Sequence, residues 1–314
     1  MTNPRDPDFA LRVARLRFEA DRSPHEIAEL LGISVSTVSR ALKQARDLGF
    51  IRIRVVAPSD RLSDLEHAVE KRFGLALAVV VRAAENEEQN RHRLGQEVAE
   101  ELVGLLRPHT VIGVSDGRTT AAVAQHMTRL EVPGLDIVPL IGGVGMADAP
   151  THPHEVARQF AAHVGARTWQ LPVPAMVDNG KTAATLMGAP IVRSAFEIID
   201  RCSVALVGVG SISPEASIVR HGVVTADDIM NLGTLGAVGS ICARFYGEDG
   251  HPVASQFDAR TLAVTLDNLK TFPYRIAVAV GDQKVRAIRA ALRGRIVNCL
   301  GTDEPTARRM LAGD

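Results

Sequence analysis

The hydrophobic positions of the chain follow two different patterns. Up to about residue 48 they recur every three to four residues, which predicts a series of helices. From residue 75 onward, short runs rich in β-branched residues alternate with helical segments, which is typical of crossover units and a largely parallel sheet. The pattern therefore predicts a small helical domain followed by a larger α/β domain.

Three helices are predicted in the N-terminal domain. The first spans about residues 7–21. The second begins with a capping box formed by Ser23 and Glu26, and it ends at Gly32 because glycine readily adopts the left-handed conformation that closes a helix. Ser34 caps the third helix. The predicted buried face of this helix consists of Val35, Val38, Leu42 and Ala45.

The exposed face of the third helix carries small polar and basic side chains. Its candidate DNA-contacting residues are Ser34, Ser36, Thr37, Ser39, Arg40 and Lys43. Small hydroxyl residues let the start of a helix approach backbone phosphates, and Arg40 and Lys43 are long enough to reach bases or phosphates. Two short helices joined by a glycine turn are typical of a helix-turn-helix. The alternative is a helical hairpin that packs on the larger domain and binds nothing.

The charge distribution favours the first of these interpretations. The whole chain is neutral, with 36 basic and 36 acidic residues, yet residues 1–56 hold ten basic and seven acidic ones. Within residues 34–56, five basic residues stand against Asp47 alone. Residues 49–56 alternate apolar and basic positions, which predicts a half-exposed strand that forms a wing beside the third helix. A local basic face in a neutral protein indicates an anionic partner.

The length of 314 residues suggests about two domains. A Pro- and Ser-containing break at residues 57–60 begins a linker, and residues 62–73 form an amphipathic helix that ends at Gly74. The predicted division is a DNA-binding domain at residues 1–56, a linker with its helix at 57–74, and a larger α/β domain at 75–314.

The large domain offers seven strand candidates and several helix candidates. The strands are predicted at residues 77–81, 110–114, 136–140, 204–208, 262–266, 276–280 and 296–300. The helices include residues 89–106, 118–129, 154–164 and 283–293. Ligands of parallel sheets bind at the carboxyl ends of strands, so the turns that follow the strands are the first candidates for a binding site.

The turn at residues 117–120 combines the features of an anion site. Gly117 lets a phosphate approach the backbone, the hydroxyls of Thr119 and Thr120 and the amides of the helix start are donors, and Arg118 adds positive charge. The sequence is neither a Walker loop nor a GxGxxG fingerprint, which disfavours nucleotides. The alternative is a helix cap without a ligand.

Three further positions on strand-end turns are candidates. Gly142 and Gly143 form a loop for which ligand contact and simple chain reversal are equally open. Lys284 lies one turn inside a helix, from where it either points back to an anion or faces solvent. Asp303 follows the last strand, and its carboxylate either accepts sugar hydroxyls or caps the next helix.

Other classes of site and environment are disfavoured. Cys202, Cys242 and Cys299 are too scattered for a disulfide framework or a metal site, and His152 and His154 lack a third ligand at usable spacing. We therefore expect no metal and no cofactor. The chain has no apolar run of the roughly 18–20 residues that a membrane span needs, and no signal peptide, which predicts a soluble cytoplasmic protein without a membrane partner.

The helix-turn-helix and several blocks of the large domain resemble the SorC family of bacterial sugar-responsive transcriptional regulators. The blocks are IGVSDGRT at residues 112–119, LGTLGAVG at residues 232–239, and the ending from Lys284 to Glu304. The resemblance extends over roughly residues 10–312. It implies a winged-helix-like reader and a Rossmann-like effector domain similar to sugar-phosphate isomerases and glucosamine-phosphate deaminases. It also implies dimers and tetramers on operator DNA, controlled by a phosphorylated sugar.

The resemblance extends to individual site residues. The positions that match those holding the effector phosphate in such regulators are Gly117, Arg118, Thr119, Thr120 and Lys284. Asp303 matches the terminal Thr-Asp-Glu motif of the family. Ser240 stands where the family usually has Asp, Val280 stands where Gly is common, and Gly142 occupies a position that is basic in relatives answering to a bisphosphate. These departures favour a sugar with a single phosphate.

The sequence thus predicts a DNA-binding regulator of a carbohydrate operon, switched by a phosphorylated sugar and assembled as a homodimer or homotetramer, and not an enzyme. The alternative is a sugar-phosphate isomerase or deaminase fused to a DNA-binding module. Such catalysis needs a carboxylate base with a matching acid. Asp116 and Asp303 are candidate bases, but no acid–base pair falls in one loop. A redox or metal sensor is excluded by the cysteine and histidine spacing.

Overall fold

The computed structural model of the protein describes residues 6–48, 50–51 and 60–312, and the chain divides into two compact units, Met1–Ser59 and Asp60–Asp314. The first unit contains α1 (Pro7–Phe18), α2 (Pro24–Leu31) and α3 (Val35–Asp47). Its core consists of Phe9, Val13, Ile27, Ala28, Val38 and Ala41, each at most 7% exposed.

Local capping explains where the three helices begin and end. Ser23 and Glu26 form the predicted capping box, and Gly32 ends α2 in the left-handed conformation at a φ of 63°. The hydroxyl of Ser34 accepts a hydrogen bond from the Thr37 amide at the start of α3. The first helix is shorter than predicted: it ends at Phe18 and not at about residue 21. The predicted wing at residues 49–56 lies outside the described residues, apart from residues 50 and 51.

The second unit alternates strands and helices along most of its length. Its strands are β1 (Leu77–Val81), β2 (Val111–Val114), β3 (Asp136–Pro139), β4 (Arg167–Thr168), β5 (Val204–Gly208), β6 (Gly210–Ser211), β7 (Gly239–Ile241), β8 (Arg244–Tyr246), β9 (Tyr274–Val278) and β10 (Cys299–Asp303). Its helices are α4 (Ser63–Phe73), α5 (Glu87–Leu105), α6 (Arg118–His126), α7 (Pro153–Val164), α8 (Gly180–Met187), α9 (Pro190–Ile199), α10 (Ser217–Arg220), α11 (Ala226–Thr234), α12 (Leu266–Thr271), α13 (Val285–Arg293) and α14 (Glu304–Leu311).

Seven of these strands form one sheet in the order β1-β10-β9-β5-β2-β3-β4, and every neighbouring pair is parallel. Both faces of the sheet are covered. In β1, for example, Ala78 and Val80 belong to one apolar cluster, whereas Val79 and Val81 belong to the other. This arrangement confirms the predicted parallel α/β architecture, since parallel sheets are buried on both sides.

Three strand predictions differ from the structure. Residues 262–266 do not form a strand of the sheet. Leu262 and Val264 hydrogen-bond instead to loop residues Ala175 and Leu140, and the hydroxyl of Thr265 already caps α12. The strand predicted at 276–280 lies two residues earlier, as β9. The strand predicted at 296–300 begins three residues later, as β10, because residues 294–296 still hydrogen-bond to the end of α13. The small antiparallel sheet β6-β7-β8 was not predicted.

The second unit begins with a short strap, Asp60–Leu62, which runs along the edge strand β1. The Leu62 amide donates to the Val80 carbonyl at 2.9 Å, and the Arg82 amide donates to the Asp60 carbonyl at 2.8 Å. Ion pairs hold the strap on two helices: Arg61 contacts Glu66 of α4 and Glu101 of α5, and Arg93 of α5 lies 3.4 Å from Asp60. The strap therefore covers an edge that would otherwise offer unpaired backbone groups.

Helices α5 and α6 approach each other closely because α5 has a glycine at the crossing point. A methyl group added at Gly95 would lie 2.7 Å from the carbonyl carbon of Ala122 and 2.8 Å from its oxygen. Gly104, on the same helix, has no neighbouring atom within 4 Å of such a methyl group. None of the described helices combines the length and apolar character needed to cross a bilayer.

We expect the two glycines to respond to alanine in opposite directions. Gly95→Ala is expected to lower the free energy of unfolding by about 1–3 kcal/mol, because the methyl group forces the helices apart. Gly104→Ala is expected to raise it by about 0.5–1 kcal/mol, because alanine is the better helix former. Thermal or denaturant unfolding of both variants measures the difference, and a Gly95→Ala variant as stable as the wild type would contradict the close packing.

Candidate functional site

The start of α3 presents a compact set of hydroxyl groups. The Ser34 hydroxyl lies 2.8 Å from the Ser36 hydroxyl and 2.9 Å from the Thr37 hydroxyl. The Arg40 guanidinium reaches back along the helix, with Nη2 at 3.3 Å from Thr37 Oγ1. Ser34, Ser36, Ser39, Arg40 and Lys43 are exposed and Thr37 is half-buried. All six candidate DNA-contacting residues thus share one surface of the first unit, opposite the buried positions of α3.

A cavity of about 420 Å³ opens at the carboxyl ends of β2, β5 and β9 in the second unit. Six segments line it: residues 116–120 after β2, the first two turns of α5, Ile141 and Val144 after β3, residues 208–220 after β5, the β7–β8 hairpin, and the end of β9 with the turn before α13. Because the strands are parallel, these segments meet at one edge although they are far apart in sequence.

Five of the eight predicted effector-binding residues line this cavity, namely Gly117, Arg118, Thr119, Thr120 and Lys284. Gly117 has a φ of 119°, which a residue with a side chain rarely adopts, and it precedes α6 without a side-chain cap. The first amides of α6 therefore begin directly at the cavity. The Thr120 hydroxyl donates to the carbonyls of Asp116 and Gly117, both at 2.8 Å, so it shapes the loop.

Gly142 and Gly143 do not line the cavity, although the flanking Ile141 and Val144 do. A methyl group at Gly142 would lie 2.5 Å from the carbonyl oxygens of Val173 and Pro174. The Gly143 amide donates to the Val173 carbonyl at 2.7 Å. The geometry of both glycines thus serves close backbone packing.

Asp303 also lies outside the cavity lining, and its carboxylate is already engaged. It is buried, it accepts hydrogen bonds from the Asn90 side-chain amide at 2.8 Å and from the Thr306 amide at 3.3 Å, and it caps α14. The sequence left two roles open for Asp303, contact with sugar hydroxyls and helix capping. In the structure its carboxylate caps α14.

The cavity concentrates positive charge. Its lining contains four cations, Arg91, Arg118, Arg220 and Lys284, and three carboxylates, Glu87, Asp116 and Glu215. Burial, opposed in part by the Glu87 carboxylate and reinforced by the Arg118 guanidinium, lowers the pKa of Lys284 from 10.5 to about 8. Burial raises the pKa of Asp116 to about 6, against the opposing charge of Lys284. Such perturbed groups in a cleft are typical of functional sites.

Sequence reasoning missed Arg91, Arg220 and Glu87. Arg91 and Glu87 lie in the first turns of the helix that follows β1, so the strand-end rule that selected Lys284 also applies to them. Arg220 lies twelve residues after the end of β5, on the short helix α10, and no local pattern marks it. The β7–β8 turn was also missed; Cys242 and Ala243 adopt left-handed φ values of 49° and 56° there and line the cavity. The described residues contain no cluster suited to a metal ion.

A helix-turn-helix and a parallel α/β unit with a cation-rich cavity together define the class of ligand-responsive transcriptional regulators. A family model described as a putative sugar-binding domain matches residues 58–312, and one described as sigma-70, region 4 matches residues 11–47. The chain belongs to the SorC family of sugar-binding, DNA-binding transcriptional regulators.

Individual relatives match over nearly the full length of the chain. The deoxyribonucleoside regulator of Bacillus subtilis (strain 168) is 32% identical over 304 residues, which cover 96% of this chain and 97% of that protein. The sorbitol operon regulator of Klebsiella pneumoniae is 30% identical over 314 residues, with coverages of 99% and 100%. The crystal structure of full-length SorC from Klebsiella pneumoniae is similar with a TM-score of 0.75 and 30% identity, and it covers 98% of this chain and 99% of that one.

The desolvated charge of the half-buried Lys284 generates a stability prediction. At pH 7 the folded protein keeps the Lys284 ammonium charged at a cost, so Lys284→Met is expected to raise the free energy of unfolding by about 1–3 kcal/mol. The unfolded chain binds this proton more tightly than the folded protein does. The difference in the free energy of unfolding between Lys284→Met and the wild type is therefore expected to shrink as pH rises from about 8 to 10.5.

Denaturant unfolding at pH 7 and pH 9.5 measures both effects. The exposed Lys181 is the matched control, since Lys181→Met removes a solvated charge and is expected to change little. A Lys284→Met variant that is less stable than the wild type at pH 7 would show that its surroundings fully compensate the buried charge.

Proposed function

We propose that this chain regulates a carbohydrate operon and that a phosphorylated sugar, bound in the 420 Å³ cavity, changes its affinity for operator DNA. The observation that carries the proposal is the convergence of the Gly117 loop, the start of α6 and Lys284 at one edge of the sheet. A phosphate dianion needs several donors and positive charge, and this set supplies both.

The remainder of the cavity suits the sugar. Its volume falls within the range of small-molecule sites. Besides the cations, the polar side chains of Ser211, Ser213 and Ser240 line it and are able to donate to or accept from sugar hydroxyls. The lining has only one more cation than carboxylate, and Gly142 adds no charge. We therefore favour a sugar with one phosphate.

Operator binding is assigned to α3, through the exposed set defined above. A single helix-turn-helix reads one half-site, so we further propose a homodimer or homotetramer that pairs two such helices on a palindromic operator. The names of the relatives, regulators of deoxyribonucleoside and sorbitol systems, support a carbohydrate-related operon.

We propose that the sugar is bound without turnover. Asp116 and Asp303 are the two candidate bases. Asp303 caps α14 and lies outside the cavity lining, so it does not form an acid–base pair with Asp116. The relatives are regulators as well. Release of product from the bound sugar by the purified wild-type protein would instead support the isomerase or deaminase alternative.

The DNA interface is tested with two substitutions on α3. Arg40→Ala is expected to weaken operator binding by about 1–3 kcal/mol if the guanidinium reads a base edge, and Lys43→Ala is expected to reduce the salt dependence of binding by about one ion if the ammonium meets a phosphate. Gel-shift titrations over a range of salt concentrations measure both. Operator affinities equal to wild type in both variants would exclude α3 as the recognition helix.

The effector site is tested with Lys284→Ala. Loss of the buried ammonium is expected to abolish the response to sugar phosphates while operator binding in their absence stays near wild type, because α3 belongs to a separate unit. Calorimetry against a panel of sugar phosphates, combined with gel shifts, measures the two properties, and Lys181→Ala serves as the control for removal of a surface lysine. If Lys284→Ala binds sugar phosphates as tightly as the wild type, Lys284 does not contact the phosphate.

A further inference from the structure

The cavity holds a carboxylate in the middle of its cations. Glu87 is the first residue of α5, and its Oε2 accepts a hydrogen bond from Arg91 Nη1 at 2.9 Å. Its Oε1 lies 3.4 Å from Nε2 of Gln283, in the turn before α13. A methyl group at Gly281 would lie 2.9 Å from this oxygen, so the backbone of that turn also approaches closely. Glu87 thus links the two segments that bring Arg91 and Lys284 to the site.

Glu87 interacts electrostatically with three of the cavity's cations, Arg91, Arg118 and Lys284. The charge of Arg91 and, more weakly, that of Arg118 hold the pKa of Glu87 below its usual value despite partial burial. Glu87 in turn is the carboxylate that offsets the burial of the Lys284 ammonium. The three cations that are suited to a phosphate therefore already share one negative charge, and that charge belongs to the protein.

We propose that Glu87 is a built-in competitor of the effector phosphate: it offsets part of the charge of Arg91, Arg118 and Lys284 in the absence of ligand, opposes binding of any phosphate, and restricts the cavity to ligands with one phosphate group. The inference rests on the function proposed above. Four cations against three carboxylates leave little positive charge for a second dianion. Without Glu87, the same lining has four cations against two carboxylates.

The geometry allows Glu87 to give way without damage to the fold. The helix cap of α5 is made by Asn86, whose side chain accepts from the Gln89 amide at 3.0 Å, and it does not involve Glu87. The Glu87 side chain is 40% exposed, so solvent can receive it when it leaves Arg91. Glu88 is the next residue of the same helix, carries the same charge and is exposed, but it does not line the cavity. Its charge acts on Arg118 less strongly than that of Glu87 does, so it is a control for the loss of one negative charge outside the cavity.

The opposite role makes the opposite prediction. If Glu87 accepted hydrogen bonds from sugar hydroxyls, its replacement by Gln would weaken binding of sugar phosphates and leave inorganic phosphate unaffected. A competitor gives tighter binding of inorganic phosphate itself, which has no sugar. The sign of the change with inorganic phosphate therefore separates the two roles.

The experiment is calorimetry of the full chain with inorganic phosphate and with pyrophosphate at pH 7.5. Glu87→Gln is expected to bind phosphate about fivefold to tenfold more tightly than the wild type, which is the effect of one unit charge a few ångströms away. The gain is expected to be larger for pyrophosphate and smaller in high salt, because the anion charge scales the repulsion and salt screens it. Glu88→Gln is expected to stay within about twofold of the wild type, since its carboxylate is solvated.

The outcomes separate this inference from the function on which it rests. If the wild type binds phosphate, Lys284→Ala loses it, and Glu87→Gln binds no more tightly than Glu88→Gln, the role of Glu87 is refuted while the effector site stands. If wild type, Glu87→Gln and Glu88→Gln all bind neither anion, the phosphate site itself is refuted and the competitor with it. Cooperative thermal unfolding of all three proteins well above the assay temperature, without anion, establishes that the comparison is between folded states.

Discussion

The cavity of the second unit depends on one constraint, the common direction of the seven strands of the large sheet. Because all of them are parallel, each loop that follows a strand opens at the same edge, and residues from 87 to 284 meet there. The crossover helices that follow the strands of a parallel sheet begin at this edge, so their first turns supply amides and side chains together. Reversal of a single central strand would place its loop on the opposite edge and dismantle the cavity.

Local chemistry was the part of the structure that the sequence predicted best. The capping box at Ser23, the left-handed Gly32 and the cap at Ser34 each act within a few residues, so their patterns suffice to define the helix-turn-helix. The strand-end rule also found the Gly117 loop and Lys284. It does not select Arg91, because the strand end before α5 lacks the glycine turn that marks the Gly117 loop and Lys284. Arg220 carries no such mark, since its position depends on how a long connection folds back over the sheet.

Other features of the structure depend on partners that are distant in sequence. Residues 262–264 have the composition of a strand, yet their backbone groups pair with loops that the local sequence does not specify. At Asp303, both helix capping and ligand binding call for an acidic residue just after a strand, so the local sequence does not distinguish them. The second carboxylate oxygen accepts from Asn90, which lies 213 positions away in the sequence. Strands β6 to β8 are two or three residues long, too short for any period to be recognised.

The strap at Asp60–Leu62 fixes where this protein can be recombined with its relatives. A chimaera joined upstream of Asp60 exchanges the helix-turn-helix and keeps the backbone pairing and ion pairs that seal β1. A junction after Leu62 leaves that strand with open hydrogen-bonding groups, which invites pairing with a second chain and aggregation. The junction point of a chimaera is therefore limited by the hydrogen bonds of an edge strand. This limit, at Asp60, lies a few residues after the start of the linker in the sequence.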